Sequence, residues 1–307
     1  MKIKTLLSFL KYDITKWFYF NKSDLLLNDT LIKKECFFGP FVGEFGHLLS
    51  HIVPLLSYLK EKGVDVHYIG PAIHKAYFYD SKSNLIVKSY TDLRDFYSEV
   101  APRCNDQIFP DDVKHQISIF KNDAKKSDLP FWDISKKSYY WFGICLWMYE
   151  KKYLHIYTQF SGVKKLNQIV LFARKKGSHS DVRGDDWDFQ EVIDHIINNT
   201  NYNIIILGHP AYSHVLKESK RVRSILTNDN KVILEECSKS KFIINQLSGT
   251  HYLGLYSDTN VILLLKGNNI DYSNYLKDLK YRLLLNPSID LLKSSSLNDI
   301  TKNLTEK

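Results

Sequence analysis

Two short stretches hold residues whose types and spacing could do chemistry. The first reads Gly39-Pro40-Phe41-Val42-Gly43-Glu44-Phe45-Gly46 and sets Glu44 among glycines, ahead of His47 and His51. A carboxylate on such a loop can act as a general base that deprotonates an acceptor hydroxyl, so Glu44 and His47 are the candidate catalytic residues. The plainer alternative is a carboxylate at a helix start that complements the helix dipole. His47 and His51 stand four apart and share a helix face, as a metal-binding pair would. Nothing in the sequence supplies a clear further ligand, and no metal is expected.

The second stretch reads Asn245-Gln246-Leu247-Ser248-Gly249-Thr250-His251. It falls where an apolar run, Phe242 to Ile244, gives way to a short amphipathic one, Tyr252 to Ser257. Two hydroxyls, a glycine without Cβ and free backbone N–H groups at a helix start suit a phosphate or diphosphate. An ordinary turn with Ser248 or Thr250 as N-cap has the same composition. Company elsewhere in the chain favours the phosphate. Arg174 and Lys175 directly follow another apolar run, Arg183 lies in the polar loop beyond them, and Gly208-His209 follow a third run.

Ligands of open parallel sheets sit beyond the carboxyl ends of the strands, so these residues are expected on one rim. The donor-site candidates are therefore Arg174, Lys175, Arg183, Gly208, His209, Ser248, Gly249, Thr250 and His251. A merely solvated charge run is the alternative for Arg174 and Lys175. Asp185 and Asp186 read as a loop and cap feature rather than a metal-binding pair. Neither GxxxxGK[ST] nor GxGxxG occurs. That speaks against a P-loop nucleotidase and a dinucleotide oxidoreductase.

The elements that must position these residues alternate short β-branched runs with helical patterns, the order of a parallel sheet. Lys34 to Phe38 predicts a first strand, and the pattern from Leu48 to Leu59 a helix kinked or broken at Pro54. Val64 to Ile69 predicts a second strand, Ala72 to Tyr79 a helix, Leu85 to Lys88 a third strand, and Thr91 to Arg94 the start of another helix. Helices are also expected over Asp111 to Asn122 and Ser135 to Lys151. The latter carries an aromatic run, Tyr139 to Tyr149, that suits packing or, more sharply, a ring-stacking acceptor platform.

A second α/β pattern begins after residue 160. Strands are expected over Gln168 to Ala173, Asn203 to Leu207, Lys231 to Leu234, Phe242 to Ile244 and Val261 to Leu265. Helices are expected over Phe189 to Asn198, opened by an Asp188/Glu191 capping box, and over the basic stretch Tyr212 to Leu226. The tail after Ser294 is expected to fray. The resulting segments are an amphipathic 1–30, a Rossmann-like domain over 31–160 and a second over 161–307.

A chain of 307 residues is long for one core and comfortable for two domains. Apolar content of 44% and charged content of 25% are those of a globular protein, which excludes disorder as a starting point. A net charge of +8 favours anionic partners: a phosphorylated ligand, nucleic acid or an anionic membrane surface. The basic residues are spread along the chain and no RNA-recognition motif occurs, so nucleic acid is not expected as the partner. Cys36, Cys104, Cys145 and Cys237 form no CxxC, the usage of a reduced, cytoplasmic chain without a thiolate zinc site. Met1 to Phe20 contains no apolar run long enough for a membrane span or a signal-peptide core. As a helix it sets Leu6, Leu10, Ile14 and Trp17 in a stripe flanked by lysines, which suits peripheral lying on a membrane or packing on the domain's own surface.

The loop from Gly39 to Gly46 resembles the G-P-x-x-G-E-F-G loop that opens a group of bacterial polysaccharide glycosyltransferases. Leu247-Ser248-Gly249-Thr250-His251-Tyr252-Leu253, followed by Val261 to Leu265, resembles the S-G-x-x-H-L-A segment and strand of heptosyltransferase-like enzymes, with one residue fewer before the histidine. Arg174 and Arg183 resemble the basic residues after the first strand of the donor domain there. The resemblance implies an α/β fold of the GT-B kind, two Rossmann-like domains with parallel sheets facing a cleft. It also implies metal-independent transfer from a nucleotide-sugar to a surface-polysaccharide acceptor (lipopolysaccharide, capsule or O-antigen, as a glycan or lipid-linked glycan). The transfer it implies is a single inverting displacement with Glu44 as base, needing no cofactor beyond the nucleotide-sugar co-substrate. The alternatives are a polysaccharide pyruvyl transferase, which shares a GT-B-like architecture, and a non-catalytic nucleic-acid-binding protein.

Overall fold

The computed structural model describes residues 3–43, 45–96, 109–135, 139–148, 160, 162–175, 187–246, 248–265 and 290–306, the side chains of 3–10 excepted. Glu44, Cys104, Arg183, Asp185, Asp186 and Leu247 lie outside the described residues, as do the side chains of Leu6 and Leu10. Contacts divide the chain into two compact units, Met1–Tyr79 with Asn84–His155, and Asp80–Ser83 with Ile156–Lys307. Each unit is α/β with a parallel sheet.

The first unit runs α1 (Ile3–Lys33), β1 (Glu35–Phe38), α2 (Phe45–His47), a π-helical turn (Leu48–Ile52), α3 (Val53–Glu61), β2 (Asp65–Pro71) and a 3-10 turn (Ala72–Tyr77). It continues through β3 (Ser89–Leu93), α4 (Asp111–Lys126), β4 (Phe131–Trp132) and a second π-helical segment (Tyr139–Leu146), with sheet order β3-β2-β1-β4. Pro54 has no N–H to give the preceding turn, and the helix opens into its π-helical turn directly ahead of it. Buried and part-buried polar groups tie α1 to the segments it covers. The Trp132 indole donates to Thr30 Oγ1 at 3.0 Å, the Trp147 indole to Asp24 Oδ1 at 2.9 Å, and Ser23 Oγ to the Gly143 carbonyl at 2.7 Å. Leaving such donors unmade inside the protein would cost about 1–3 kcal/mol each.

The second unit runs β5 (Gln168–Phe172), α5 (Phe189–Asn199), β6 (Asn203–Gly208), β7 (Val222–Leu226), α6 (Asn230–Lys239), β8 (Phe242–Gln246) and a 3-10 turn (Gly249–Tyr252). It ends with α7 (Leu253–Ser257), β9 (Asn260–Leu264), β10 (Leu291–Ser294) and α8 (Leu297–Thr305), in sheet order β10-β9-β8-β5-β6-β7. Both central strands, β5 and β8, are buried along their whole length, and their apolar runs, Ile169 to Phe172 and Phe242 to Ile244, carry that burial into the sequence. On one face Ile169, Leu171, Ile204, Ile206 and Ile244 pack with Val192, Ile193 and Ile196 of α5 and with Ile300 and Leu304 of α8.

Five expectations are corrected. The third strand of the first unit is Ser89–Leu93, not Leu85 to Lys88, and Thr91 to Leu93 lie in it rather than opening a helix. The seven-residue β2 offers a parallel partner to each residue from Ser89 to Leu93. Tyr212 to Leu226 is not a helix, since Val222–Leu226 forms β7 and its basic residues serve as ties. Arg221 donates to the carbonyls of Ile197, Thr200 and Tyr202 at 3.0, 2.6 and 2.7 Å, while Arg223 pairs with Glu236 at 3.2 Å. Lys231 to Leu234 lies in α6, whose N-terminus Asp229 caps by accepting the Lys231 N–H at 2.9 Å. Beyond Ser294 the chain is helical, opened by a Ser296/Asp299 capping box and anchored by buried Ile300 and Leu304.

Glu35, His67, Ser89 and Lys88 link β1, β2 and the start of β3. Glu35 accepts from Lys88 Nζ at 2.6 Å and from His67 Nε2 at 2.9 Å, and His67 Nδ1 meets Ser89 Oγ at 2.8 Å. The hydrogen bond from Lys88, then that from His67, holds the Glu35 carboxyl below its usual range. A carboxylate with a lowered folded pKa stabilises above its unfolded pKa and loses that contribution as pH falls through the folded one. Glu35→Gln is expected to cost about 1 kcal/mol at neutral pH and nothing in strong acid. Denaturant unfolding of both proteins at the two pH values checks this; a gap that persists in acid would assign the loss to packing instead.

Candidate functional site

The second sheet turns back on itself at β5. From β5 the chain passes to β6 and β7 on one side, then returns through α6 to place β8 on the other side. Loops leaving two such neighbours diverge, and the opening between them is where open α/β sheets bind ligands. Phe172 pairs with Leu207 on one flank and Asn245 on the other. Arg174, Gly208 with His209, and Ser248 therefore emerge from three adjacent strand ends at nearly one level.

Arg174 is half-buried and Lys175 exposed. Backbone contacts hold both in place. Arg174 bridges Ser213 antiparallel, the Lys175 N–H donates to the Tyr212 carbonyl at 2.8 Å, and the His214 N–H donates to the Ala173 carbonyl at 2.8 Å. The chain after β6 thus folds back across the end of β5. Gly208 permits that return, because a Cβ there would overlap the Ser213 hydroxyl. His209 is exposed, its Nδ1 accepts from the Ala211 N–H at 3.1 Å, and its ring lies 4.9 Å from that of Tyr212.

The hydroxyl turn after β8 is not a capped helix start. Ser248 makes no side-chain capping bond, and it leads into a four-residue 3-10 turn and the five-residue α7, whose dipole is correspondingly small. Instead Ser248 Oγ lies 2.6 Å from Thr250 Oγ1, which accepts from Asn245 Nδ2 at 3.2 Å. His251 is wholly buried with its ring 4.2 Å from that of Tyr252, so it stands behind the turn and not on the rim. Sequence reasoning misses Asn245. Its signal is a polar pair, Asn245-Gln246, closing an otherwise apolar strand, and both residues are buried.

The first sheet has a turning point of its own, between β1 and β4, and the loop from Gly39 leaves there. Gly39 adopts φ +123°, and a Cβ on it would come within 2.8 Å of the Ile69 carbonyl oxygen. Phe41, Val42 and Gly43 are buried, and Phe45 packs its ring 5.3 Å from that of Tyr77. His47 is half-buried, with ring distances of 5.4 Å to His51, 5.7 Å to Tyr140 and 6.4 Å to Trp141. Of the aromatic run, Tyr139, Tyr140 and Trp147 are buried and serve packing. Trp141 is exposed beside His47.

One further surface stands out. The inner face of α1 buries Ser23, Leu27 and Thr30, whereas Ile14, Trp17, Phe18, Leu25 and Ile32 are 57–79% exposed. At 100° per residue Ile14, Phe18, Leu25 and Ile32 form one straight ridge, opposite the buried face. No helix among the described residues is long and apolar enough to cross a membrane.

No protein-family model matches the chain, and no curated protein matches it. Solved structures do. The E. coli heptosyltransferase WaaC with ADP matches with a TM-score of 0.53 and 9% identity, over 89% of this chain and 99% of that one. WaaC with ADP-2-deoxy-2-fluoro heptose matches with a TM-score of 0.52, at the same identity and coverage. At such low identity the likeness is one of fold: the chain is built as a heptosyltransferase is, from α/β units around parallel sheets.

Proposed function

We propose that the chain is a glycosyltransferase that takes a sugar from a nucleoside-diphosphate donor held on the second unit. The acceptor, a glycan or lipid-linked glycan of a surface polysaccharide, binds at the Gly39–Gly46 loop of the first. The observation that supports this reading is that Arg174 and Lys175 follow β5 while the Ser248–Thr250 turn follows β8, the strand paired beside it. Among the described residues neither Arg174 nor Lys175 forms an ion pair, and cations at a strand end suit a phosphate. ADP-sugars are the first donors to try, since the structures of like fold hold ADP and an ADP-heptose analogue.

The chemistry is a single displacement. An acceptor oxygen attacks the anomeric carbon, the bond from that carbon to the diphosphate oxygen breaks, and the diphosphate leaves with the electron pair. The acceptor's proton passes to the Glu44 carboxylate, and the anomeric configuration inverts. Negative charge grows on the leaving diphosphate, where Arg174, Lys175, Arg183 and the hydroxyl turn stabilise it. His209 and Gly208 border the nucleotide, His47 orients the Glu44 loop, and His251 supports the turn from behind. The displacement needs no cofactor beyond the donor. The outer ridge of α1 rests on an anionic membrane surface, with the lysines of the helix drawn to lipid phosphates.

Arg174→Ala is expected to weaken ADP binding roughly tenfold or more, the scale of a charge-assisted hydrogen bond. Calorimetric titration of a variant with an unaltered circular-dichroism spectrum checks this, and unchanged affinity would remove Arg174 from the donor site. Glu44→Gln keeps the side chain's size but not its basicity, so turnover should fall by about 100-fold or more while nucleotide affinity holds. A loss of stability with normal specific activity would make Glu44 a helix-start carboxylate only. Replacing Ile14, Trp17 and Phe18 together with serine should release the protein from vesicles containing phosphatidylserine. Equal sedimentation of both proteins with vesicles would refute the membrane role of the ridge.

A further inference from the structure

The fold supplies the third ligand that the His47/His51 pair lacks in the sequence. Cys145, almost a hundred residues away along the chain, joins them, and one ligand atom from each of the three lies within 4.8 Å of the others. His51 and Cys145 are buried and His47 half-buried. Both π-helical segments take part: His51 lies in Leu48–Ile52, with His47 immediately before it, and Cys145 lies in Tyr139–Leu146. Such segments make up well under 1% of residues in soluble proteins and occur preferentially at functional sites.

We propose that His47, His51 and Cys145 bind a divalent transition-metal cation, zinc by preference. Two imidazoles and a thiolate form a borderline-soft set that suits zinc and disfavours magnesium or calcium. Ser50 Oγ stands 2.6 Å from His51 Nδ1, the kind of outer-shell hydrogen bond that fixes a ligating ring and leaves Nε2 for a metal. Nitrogen and sulfur ligands of tetrahedral zinc are roughly 3.5 Å apart, so side-chain adjustments of about an ångström close the set. Three protein ligands leave a fourth position. The cation ties the turn that follows the Glu44 loop to the π-helical segment on which α1 rests. Its role is to position that loop, and its binding does not depend on the transfer reaction proposed above.

The test uses tag-free protein purified from zinc-supplemented medium. Elemental analysis after gel filtration should give one zinc per chain. Cobalt(II) added to the zinc-depleted protein should give a thiolate-to-cobalt charge-transfer band in the near ultraviolet. That band should vanish in Cys145→Ser and persist in Cys36→Ser and Cys237→Ser. His47→Ala, a change at a half-buried position, should weaken zinc binding by about 100-fold or more, since even an outer-shell loss costs 10–100-fold. The proposal is overturned if the wild-type chain retains no stoichiometric zinc and shows no cobalt–thiolate band. It is overturned equally if folded Cys145→Ser keeps the band, or if His47→Ala binds zinc as the wild type does.

Discussion

β5 is flanked along its length by β6 on one side and β8 on the other, and the candidate donor rim depends on that pairing. Side chains alternate along a strand, so a one-residue slip would turn every buried group of β5 to the opposite face. With the register as it stands, Phe172 lies level with Leu207 and Asn245. The residues after those three strand ends then share one edge, although the chain separates Arg174 from Ser248 by more than seventy positions. Burial enforces the pairing. Strands covered on both faces must meet all their backbone hydrogen bonds from neighbouring strands, because no water reaches them.

The backbone does most of the arranging at this edge. Arg174 and Lys175 are held by bonds from the main chain around Tyr212, Ser213 and His214, which crosses the end of β5 where a Cβ on residue 208 would overlap the Ser213 hydroxyl. The Ser248 and Thr250 hydroxyls bond one another and Asn245 rather than capping a helix. In the first unit the same topology recurs on a smaller scale. The Gly39 loop leaves at the β1/β4 turning point, and α1 is pinned by buried hydrogen bonds to Trp132 and Gly143 and a part-buried one to Trp147. Those bonds fix which face of α1 turns outward, and so where the ridge from Ile14 to Ile32 lies.

An element is legible in the sequence to the extent that its burial leaves a pattern there. Strands buried on both faces, such as Gln168–Phe172 and Phe242–Gln246, announce themselves by their apolar cores, Ile169 to Phe172 and Phe242 to Ile244, and the rim residues are named by tracing those runs to their ends. Val222–Leu226 is an edge strand, and Arg221 just before it and Arg223 within it serve other elements, so the basic pattern suggests a helix. Ile233 and Leu234 are buried helix residues that, as a short apolar run, cannot be told from a strand by periodicity. The partnership of Cys145 with His47 and His51 has no local signal at all, because it arises only from the packing of two π-helical segments. Buried Asn245 does carry a signal, a polar residue ending an apolar strand, but the hydroxyls beyond it overshadow that signal.

On the proposed function the rim beyond β5 and β8 receives a nucleoside diphosphate. Thermal unfolding of the intact protein with ADP, UDP and GDP, set against the matching nucleosides, tests it most directly. At least one diphosphate should raise the unfolding temperature, by the equivalent of about 2.7 kcal/mol at 100 times its dissociation constant, and its nucleoside should not. Unfolding temperatures that stay the same with every diphosphate, up to millimolar concentrations, would contradict it.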